Sequence, residues 1–443
     1  MERDLHRYKD VENLEFPLSY ESIITRIFSI INEIKKHSIN FFKVLIMKKA
    51  FYMMAAAAIA LSSCSSEETT DVAKSSTITF RTTVGLNSRG AELTSDNLTQ
   101  MWVSAFYQSN GQSYFDDQKF TKETGTGTST FIPESPQYWQ EGRTYKFVAI
   151  SPEKTTWPVT PTITKDQVTC ADLEPATTIT DQKDLIIGAV DATSANHNTN
   201  GVDLTLNHIL SQIQIKVKSD NEHLVYRIKG IRIVNVAKGK GTLTYTTTDN
   251  KANWDLSAGD KVTYSYTFPQ PIVLDGKTDG VKEAVLTGAD GGAMIIPQDF
   301  TPWDGKKVTE TEGVSNYNGG TYISLLLNVK AVKGTGYMYP AGAQGQNSYG
   351  WVAVAVPNNK WEIGNKYIYT LDMSTGCGKV DPVDPEEDKN NPVVKPGQEG
   401  NPGKGENIFG DVIKFNVTVT PWATPKFGDI DMSTGTVKPQ TKK

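Results

Sequence analysis

From residue 77 onward the apolar residues of this chain alternate with polar ones, and that period of two restricts what the chain can fold into. Ile78, Phe80, Thr82 and Val84 share one face, as do Ile213, Ile215 and Val217, then Ile231, Ile233 and Asn235. Tyr367, Tyr369 and Leu371 repeat the pattern, and so do Ile413, Phe415, Val417 and Val419. Successive side chains of an extended strand point to opposite faces, so this spacing predicts half-buried strands. Unbroken apolar runs over 323–329 and 351–356 predict strands covered on both faces. Gly, Pro, Asn and Asp punctuate the intervals, and a 3.6-residue period is almost absent. The fold class that follows is all-β, as two tandem β-sandwich domains.

An internal echo supports two related halves. Trp139-Gln-Glu-Gly142-Arg-Thr-Tyr145-Lys-Phe147 and Trp361-Glu-Ile-Gly364-Asn-Lys-Tyr367-Ile-Tyr369 both read Trp-x-x-Gly-x-x-Tyr-x-aromatic. In each, Gly permits a turn and the aromatic residues alternate onto one face of the strand that follows. The polar stretch 194–201 suggests a boundary, giving an N-terminal domain over 64–200 and a C-terminal domain over 201–379. Residues 380–407 are rich in Pro, Gly and charge, a composition that predicts a flexible linker. Beyond it, 408–443 holds one good strand and a polar tail. A loop of that length ahead of a lone strand normally has a purpose.

The start of the chain carries a different signal. Met47-Lys48-Lys49 is basic, Ala50 to Leu61 is an unbroken run of small or apolar residues, and Leu61-Ser62-Ser63-Cys64 ends it. That is the layout of a bacterial lipoprotein signal over 47–63, with Cys64 as the residue that is acylated after cleavage. The run is too short to span a bilayer comfortably. A secretory signal works only at an N-terminus, so residues 1–46 read as an upstream extension assigned in error. The 63 residues up to the cysteine hold nine basic and seven acidic side chains, leaving 36 basic and 43 acidic, a net −7.

Little else points to chemistry. An overall net charge of −5 and a pI near 5.7 exclude a strongly basic nucleic-acid binder. Three cysteines in 443 residues exclude a disulfide scaffold, and nothing in the sequence favours pairing of Cys170 with Cys377. No nucleophile elbow, Walker loop, zinc motif or dinucleotide fingerprint occurs, so neither an enzyme, a cofactor nor a metal is expected. The acidic cluster Asp384-Pro-Glu-Glu-Asp388 lacks the EF-hand spacing and reads as a solvated linker. Asp275 to Gly280 reads as a turn, and His208 as a packed histidine. The eight tryptophans lie mostly in strand patterns and are expected in the core. Exposed ones would support an alternative reading, a surface glycan-binding lipoprotein of a polysaccharide-uptake system.

Taken in order, the lipoprotein signal, Tyr138-Trp139 with Tyr145 to Ile150, Asp184-Leu-Ile-Ile-Gly188, Leu206 to Ile213 and the Trp361 motif resemble the fimbrillin family of Bacteroidales. These are the major and minor subunits of type V pili, and the resemblance covers essentially all of 64–443. It implies transthyretin-like topology for both sandwiches and a structural, non-enzymatic role in surface fimbriae that support adhesion. It further implies export as a lipoprotein to the outer membrane and cleavage by an arginine-specific protease after the first strand. A C-terminal strand of the next subunit would then fill the groove. Carried onto this sequence, the removable strand is Thr77 to Val84, with Ile78, Phe80, Thr82 and Val84 facing inward. The cut falls at Arg89, in a Gly/Asn/Ser loop that a protease can reach, in preference to Arg81 inside the strand. The donor is Ile413, Phe415, Val417 and Val419, whose other reading is the last strand of its own domain. The implied partners are other copies or related pilus subunits, the protease, the membrane through lipid on Cys64, and ligands on host or bacterial surfaces.

Overall fold

The computed structural model describes residues 77–84, 97–124, 130–195, 201–257, 260–277, 280–287, 292–333, 336–341, 348–383, 393–398, 400–410, 413–421, 430–431 and 436–437. Residues 1–76, with the signal and Cys64, lie outside the described set, as do Arg89 and the 384–388 cluster. The described residues form strands and two single turns of 3₁₀ helix, as the alternation predicts.

The first body contains β1 (Phe80–Val84), β2 (Gln100–Tyr107), β3 (Ser113–Lys122), β4 (Thr130–Pro133) and β5 (Thr144–Ser151). They join β8 (Ile186–Thr193) and β9 (Val202–His208) in the order β1-β4-β3-β2-β5-β8-β9. The ring closes because β1 runs parallel to β9 and antiparallel to β4. Phe80, Met101, Val103, Phe120, Phe131, Tyr145, Phe147 and Leu204 fill its interior.

β5 shows why one sequence run escapes alternation. Tyr145, Phe147 and Ala149 face that interior, while Val148 and Ile150 pack into a second core shared with Leu243 and Tyr245. The strand is therefore buried on both faces. Lys146, buried with it, reaches the carboxylate of Asp191 at 2.9 Å.

The second body is a sandwich. One sheet has the order β15-β10-β24-β26, from β10 (Ser211–Lys218), β15 (Glu283–Val285), β24 (Asn365–Asp372) and β26 (Lys414–Pro421), with β16 (Ala293–Ile295) also on β10. The other has the order β14-β11-β20-β22-β25. Its strands are β11 (Leu224–Val236), β14 (Val262–Leu274), β20 (Tyr322–Ala331), β22 (Gly350–Ala355) and β25 (Lys379–Val380), and β21 (Tyr337–Tyr339) pairs with β20. Between them lie Ile213, Ile215 and Val217 of β10, Tyr367, Tyr369 and Leu371 of β24, and Ile231, Ile233, Ile323 and Leu325 of the facing sheet. Two ribbons complete the body: β17 (Gln298–Asp299) with β23 (Lys360–Trp361), and β18 (Glu310–Thr311) with β19 (Val314–Ser315).

A further sheet crosses the boundary expected near residue 200. It runs β13-β12-β7-β6, from β6 (Thr162–Ile163), β7 (Gln167–Leu173), β12 (Gly241–Thr246) and β13 (Lys251–Asp255). Residues before and after 200 share its hydrogen bonds, and β9, which follows the polar stretch, belongs to the first ring. β9, ending at His208, pairs in the ring, and β10, starting at Ser211, pairs in the sandwich. A polar loop marks a turn in the sequence, but only the pairing partner decides which body a strand joins.

The echoed motifs build the same turn twice. Gly142 and Gly364 both have positive φ, 67° and 64°. In each case the next residue donates its backbone N–H three residues back, Arg143 to Gln140 and Asn365 to Glu362. Trp139 lies edge-on to Tyr145 and Phe147, and Trp361 donates its indole N–H to the Tyr369 hydroxyl at 2.9 Å.

Within the stretch expected as a linker, the described residues make backbone pairings with the sandwich. Residues 403–410 return antiparallel along 376–380: Val380 N–H donates to Glu406 O at 2.9 Å, and Ile408 N–H to Gly378 O at 3.1 Å. Earlier, Val394 N–H bonds Tyr349 O, and the Asn401 side chain accepts from Ala341 N–H. Such a segment buries little apolar surface by itself; it is held by backbone pairing to a body already folded.

Cys170 lies in the core between the bodies and Cys377 in the sandwich core; both are free thiols. His208 is buried with its Nδ1 3.0 Å from Asp184 Oδ1. Of the tryptophans, Trp139, Trp157, Trp303 and Trp361 are buried, and Trp102, Trp254 and Trp351 are partly buried.

Candidate assembly site

β1 supplies the wall that closes the first core. Its register against β9 runs from Phe80 opposite Val202 to Val84 opposite Leu206. Ile78, Phe80, Thr82 and Val84 are all fully or almost fully buried, as their spacing predicts. Phe80 meets Phe120 and Phe147 edge-on, with ring centroids 5.0 and 5.1 Å away. Burying an aliphatic or phenyl side chain of this size is worth about 1.5–3 kcal/mol. The strand's three apolar inward residues therefore carry several kcal/mol, and its absence would leave an apolar groove with unpaired backbone on β4 and β9.

The outward residues of β1 are polar and paired. The Arg81 guanidinium contacts Asp203 at 2.6 Å, and the Thr83 hydroxyl lies 3.5 Å from that of Thr205. Arg81 is thus engaged inside a paired strand. Arg89 and Cys64 lie outside the described residues, so no geometry bears on either.

At the other end of the chain, β26 pairs antiparallel with β24 from Asn365 opposite Pro421 to Asp372 opposite Lys414. It is the last strand of its sheet, with no partner on its outer edge among the described residues. Ile413 is buried in the sandwich core and Val417 packs against it, but Val419 is 49% exposed. The Phe415 side chain lies outside the description. An apolar cavity of ≈ 210 Å³, lined by Trp303, Ala353, Ala355 and Lys379, opens beside Ile413 at the root of the strand. The predicted donor therefore sits in its own domain in a shallower place than β1 occupies.

The sequence reading missed the anchor between β25 and β26. Asp381 is 1% exposed and accepts hydrogen bonds from Arg232 at 2.8 Å, Tyr322 at 2.5 Å, Ser324 at 2.6 Å and the Val383 backbone at 3.0 Å. Arg232 in turn stacks over the Trp351 ring at 3.8 Å. Burial, with the Asp381 charge next, pushes the Tyr322 hydroxyl far up, so it stays a donor. A buried carboxylate with four donors is a fixed point, from which the chain leaves toward its terminus. In sequence it is one acidic residue among several, and nothing near it in the chain sets it apart.

Among the described residues no cluster of three or more His, Cys, Asp or Glu is placed to hold a metal ion. The pieces brought together are strands and their pairing edges rather than reactive groups.

No protein of curated function matches the chain. A fimbrial protein from Bacteroides vulgatus aligns over 78% of this chain and 99% of its own, at 12% identity and a TM-score of 0.47. The tip fimbrial protein Mfa3 from Porphyromonas gingivalis, with a C-terminal truncation, aligns over 78% and 99% at 12% identity and a TM-score of 0.29. A family model described as fimbrillin-like matches residues 82–386, beginning inside β1 and stopping short of β26. Covering well over half of the sequence, that match shows that the chain belongs to the fimbrillin-like family.

Proposed function

We propose that this protein is a structural, non-enzymatic subunit of surface fimbriae that polymerises by exchanging strands between copies. Membership of the fimbrillin-like family supports a pilus subunit at the cell surface. In this reading the precursor is exported through its lipoprotein signal and held at the outer membrane by lipid on Cys64. An arginine-specific protease cuts at Arg89, and β1 leaves the ring.

The observation that carries the reading is the contrast between two strands. β1 buries every inward side chain, whereas β26 leaves Val419 half exposed at the edge of its sheet. A vacated groove between β4 and β9 offers backbone partners on both sides, where β26 now has one. Backbone pairing supplies the affinity and alternating pockets for Ile413, Phe415, Val417 and Val419 the specificity. A free subunit with that groove exposes an apolar floor until another subunit covers it, which drives assembly.

Negative-stain microscopy of cells, with antibody against residues 201–379, tests the reading. Label repeating along filaments supports it. Label confined to the membrane, with no filament decorated, rejects it.

A further inference from the structure

One cleft is lined by no residue of β1 or β26. It lies between β13 and the β17–β23 ribbon, measures ≈ 400 Å³ and is open along one side. One wall is Trp254, partly buried against the neighbouring core, with Leu256 beside it. The Trp254 indole N–H is fixed to the Ile209 carbonyl at 2.9 Å, which sets the ring in one orientation and spends its only polar group. Across the cleft stand Ile363, 37% exposed, and a polar rim of Asp299, Lys360 and Glu362, all exposed. Lys360 and Glu362 are paired at 3.1 Å.

This combination is selective. With its N–H already bonded, Trp254 presents only apolar ring surface to the cleft it lines, the kind of surface against which the C–H face of a sugar ring packs. Asp299, Lys360 and Glu362 line the same cleft and offer hydrogen-bond acceptors and donors to a ring's hydroxyl groups. The rim carries two negative charges and one positive, which disfavours sulfated or sialylated chains. An open trough admits a chain that continues beyond the bound ring, whereas a closed pocket would not. An extended peptide is the less suited occupant. It would have to add to the free edge of β13, and that strand begins with exposed Lys251 and ends with exposed Asp255, charges that discourage strand addition.

We propose that this cleft binds a neutral oligosaccharide, one ring stacked on Trp254 and its hydroxyls bonded to Asp299, Lys360 and Glu362. The site lies between β13 of the crossing sheet and the β17–β23 ribbon and needs neither β1 removal nor β26 exchange, so it stands or falls separately from polymerisation. A fimbrial subunit so equipped carries a sugar-binding site on each copy along the filament, and weak single contacts add through multivalency.

The test uses the full chain as an uncleaved monomer, titrated with cellohexaose, mannohexaose and xylohexaose while tryptophan fluorescence is followed. Saturable binding of at least one is expected. Trp254→Ala should weaken it by about tenfold, as loss of an aromatic anchor does. Asp299→Ala, which removes an exposed side chain, should weaken it by about threefold, the loss of one hydrogen bond, without lowering the thermal midpoint. No saturable binding of any of the three at millimolar concentration would overturn the proposal. So would binding that Asp299→Ala and Trp254→Ala leave unchanged, or tighter binding of a heparin hexasaccharide or a strand-forming peptide.

Discussion

Phe80 meets Phe147 edge-on, ring centroids 5.1 Å apart and planes at 84°, at the centre of the first core. One ring belongs to the strand proposed to leave and the other to the strand that forms the floor it leaves behind. That contact is the local measure of how much apolar surface the departure of β1 uncovers.

Truncating the departing partner should be severe in the precursor. Phe80→Ala creates a cavity in a packed core and should cost about 3–5 kcal/mol, read from urea denaturation. A loss below about 1 kcal/mol would mean that β1 is loosely seated and that the groove is shallow.

The donor side should behave in the opposite way. Val419 is 49% exposed on an edge strand, so Val419→Asp should change monomer stability by no more than about 0.5 kcal/mol. In strand exchange the same side chain fills an apolar pocket, so cleaved Val419→Asp subunits should not assemble. Normal assembly of this variant, followed by light scattering, would remove Val419 from the donor face.

Asp381 should hold the root of the terminal segment. Asp381→Ala leaves Arg232 largely buried without its carboxylate and should cost about 3–5 kcal/mol. Hydrogen exchange should quicken at the amides of Val380, Gly405 and Ile408, which lace the returning segment to β25. Replacing both partners by apolar residues, Arg232→Met with Asp381→Leu, should recover most of the loss. Unchanged exchange in Asp381→Ala would deny the anchor its role.

Burial pushes the Cys170 thiol up to about 11 from 9.0, and the fully buried Cys377 higher still. At pH 8 the thiolate fraction of Cys170 falls about a hundredfold, so native protein should resist iodoacetamide at both positions. Mass spectrometry should find both alkylated after denaturation without a reductant. The sign for stability follows: folding keeps these thiols protonated, so their contribution is full below the ordinary thiol range and declines as pH rises from there toward 11. Rapid native alkylation of either would contradict their burial.

The alternation of β1, β10, β24 and β26 was readable because period two is written by one buried face. The Trp-x-x-Gly turns were readable because a positive-φ glycine and an aromatic pair leave a fixed spacing. The closing sheet between β7 and β12 was not, since its pairing depends on backbone groups that every residue carries. The pairing of 403–410 along 376–380 was not readable for the same reason: composition reports whether a segment can bury itself, not whether a finished edge will hold it. The cleft at Trp254 escaped too. An indole at the end of an alternating strand reads as core whether or not its second face is covered.

The most direct measurement is on the cleaved subunit. Residues 64–443, treated with trypsin to cut at Arg89, should lose β1 and form ladders that survive SDS, because an exchanged strand is held by a full core face and two backbone edges. A second preparation ending at residue 410, cleaved in the same way, should stay monomeric. Monomers persisting after complete cleavage at Arg89 with β26 present, or ladders forming without it, would contradict strand exchange.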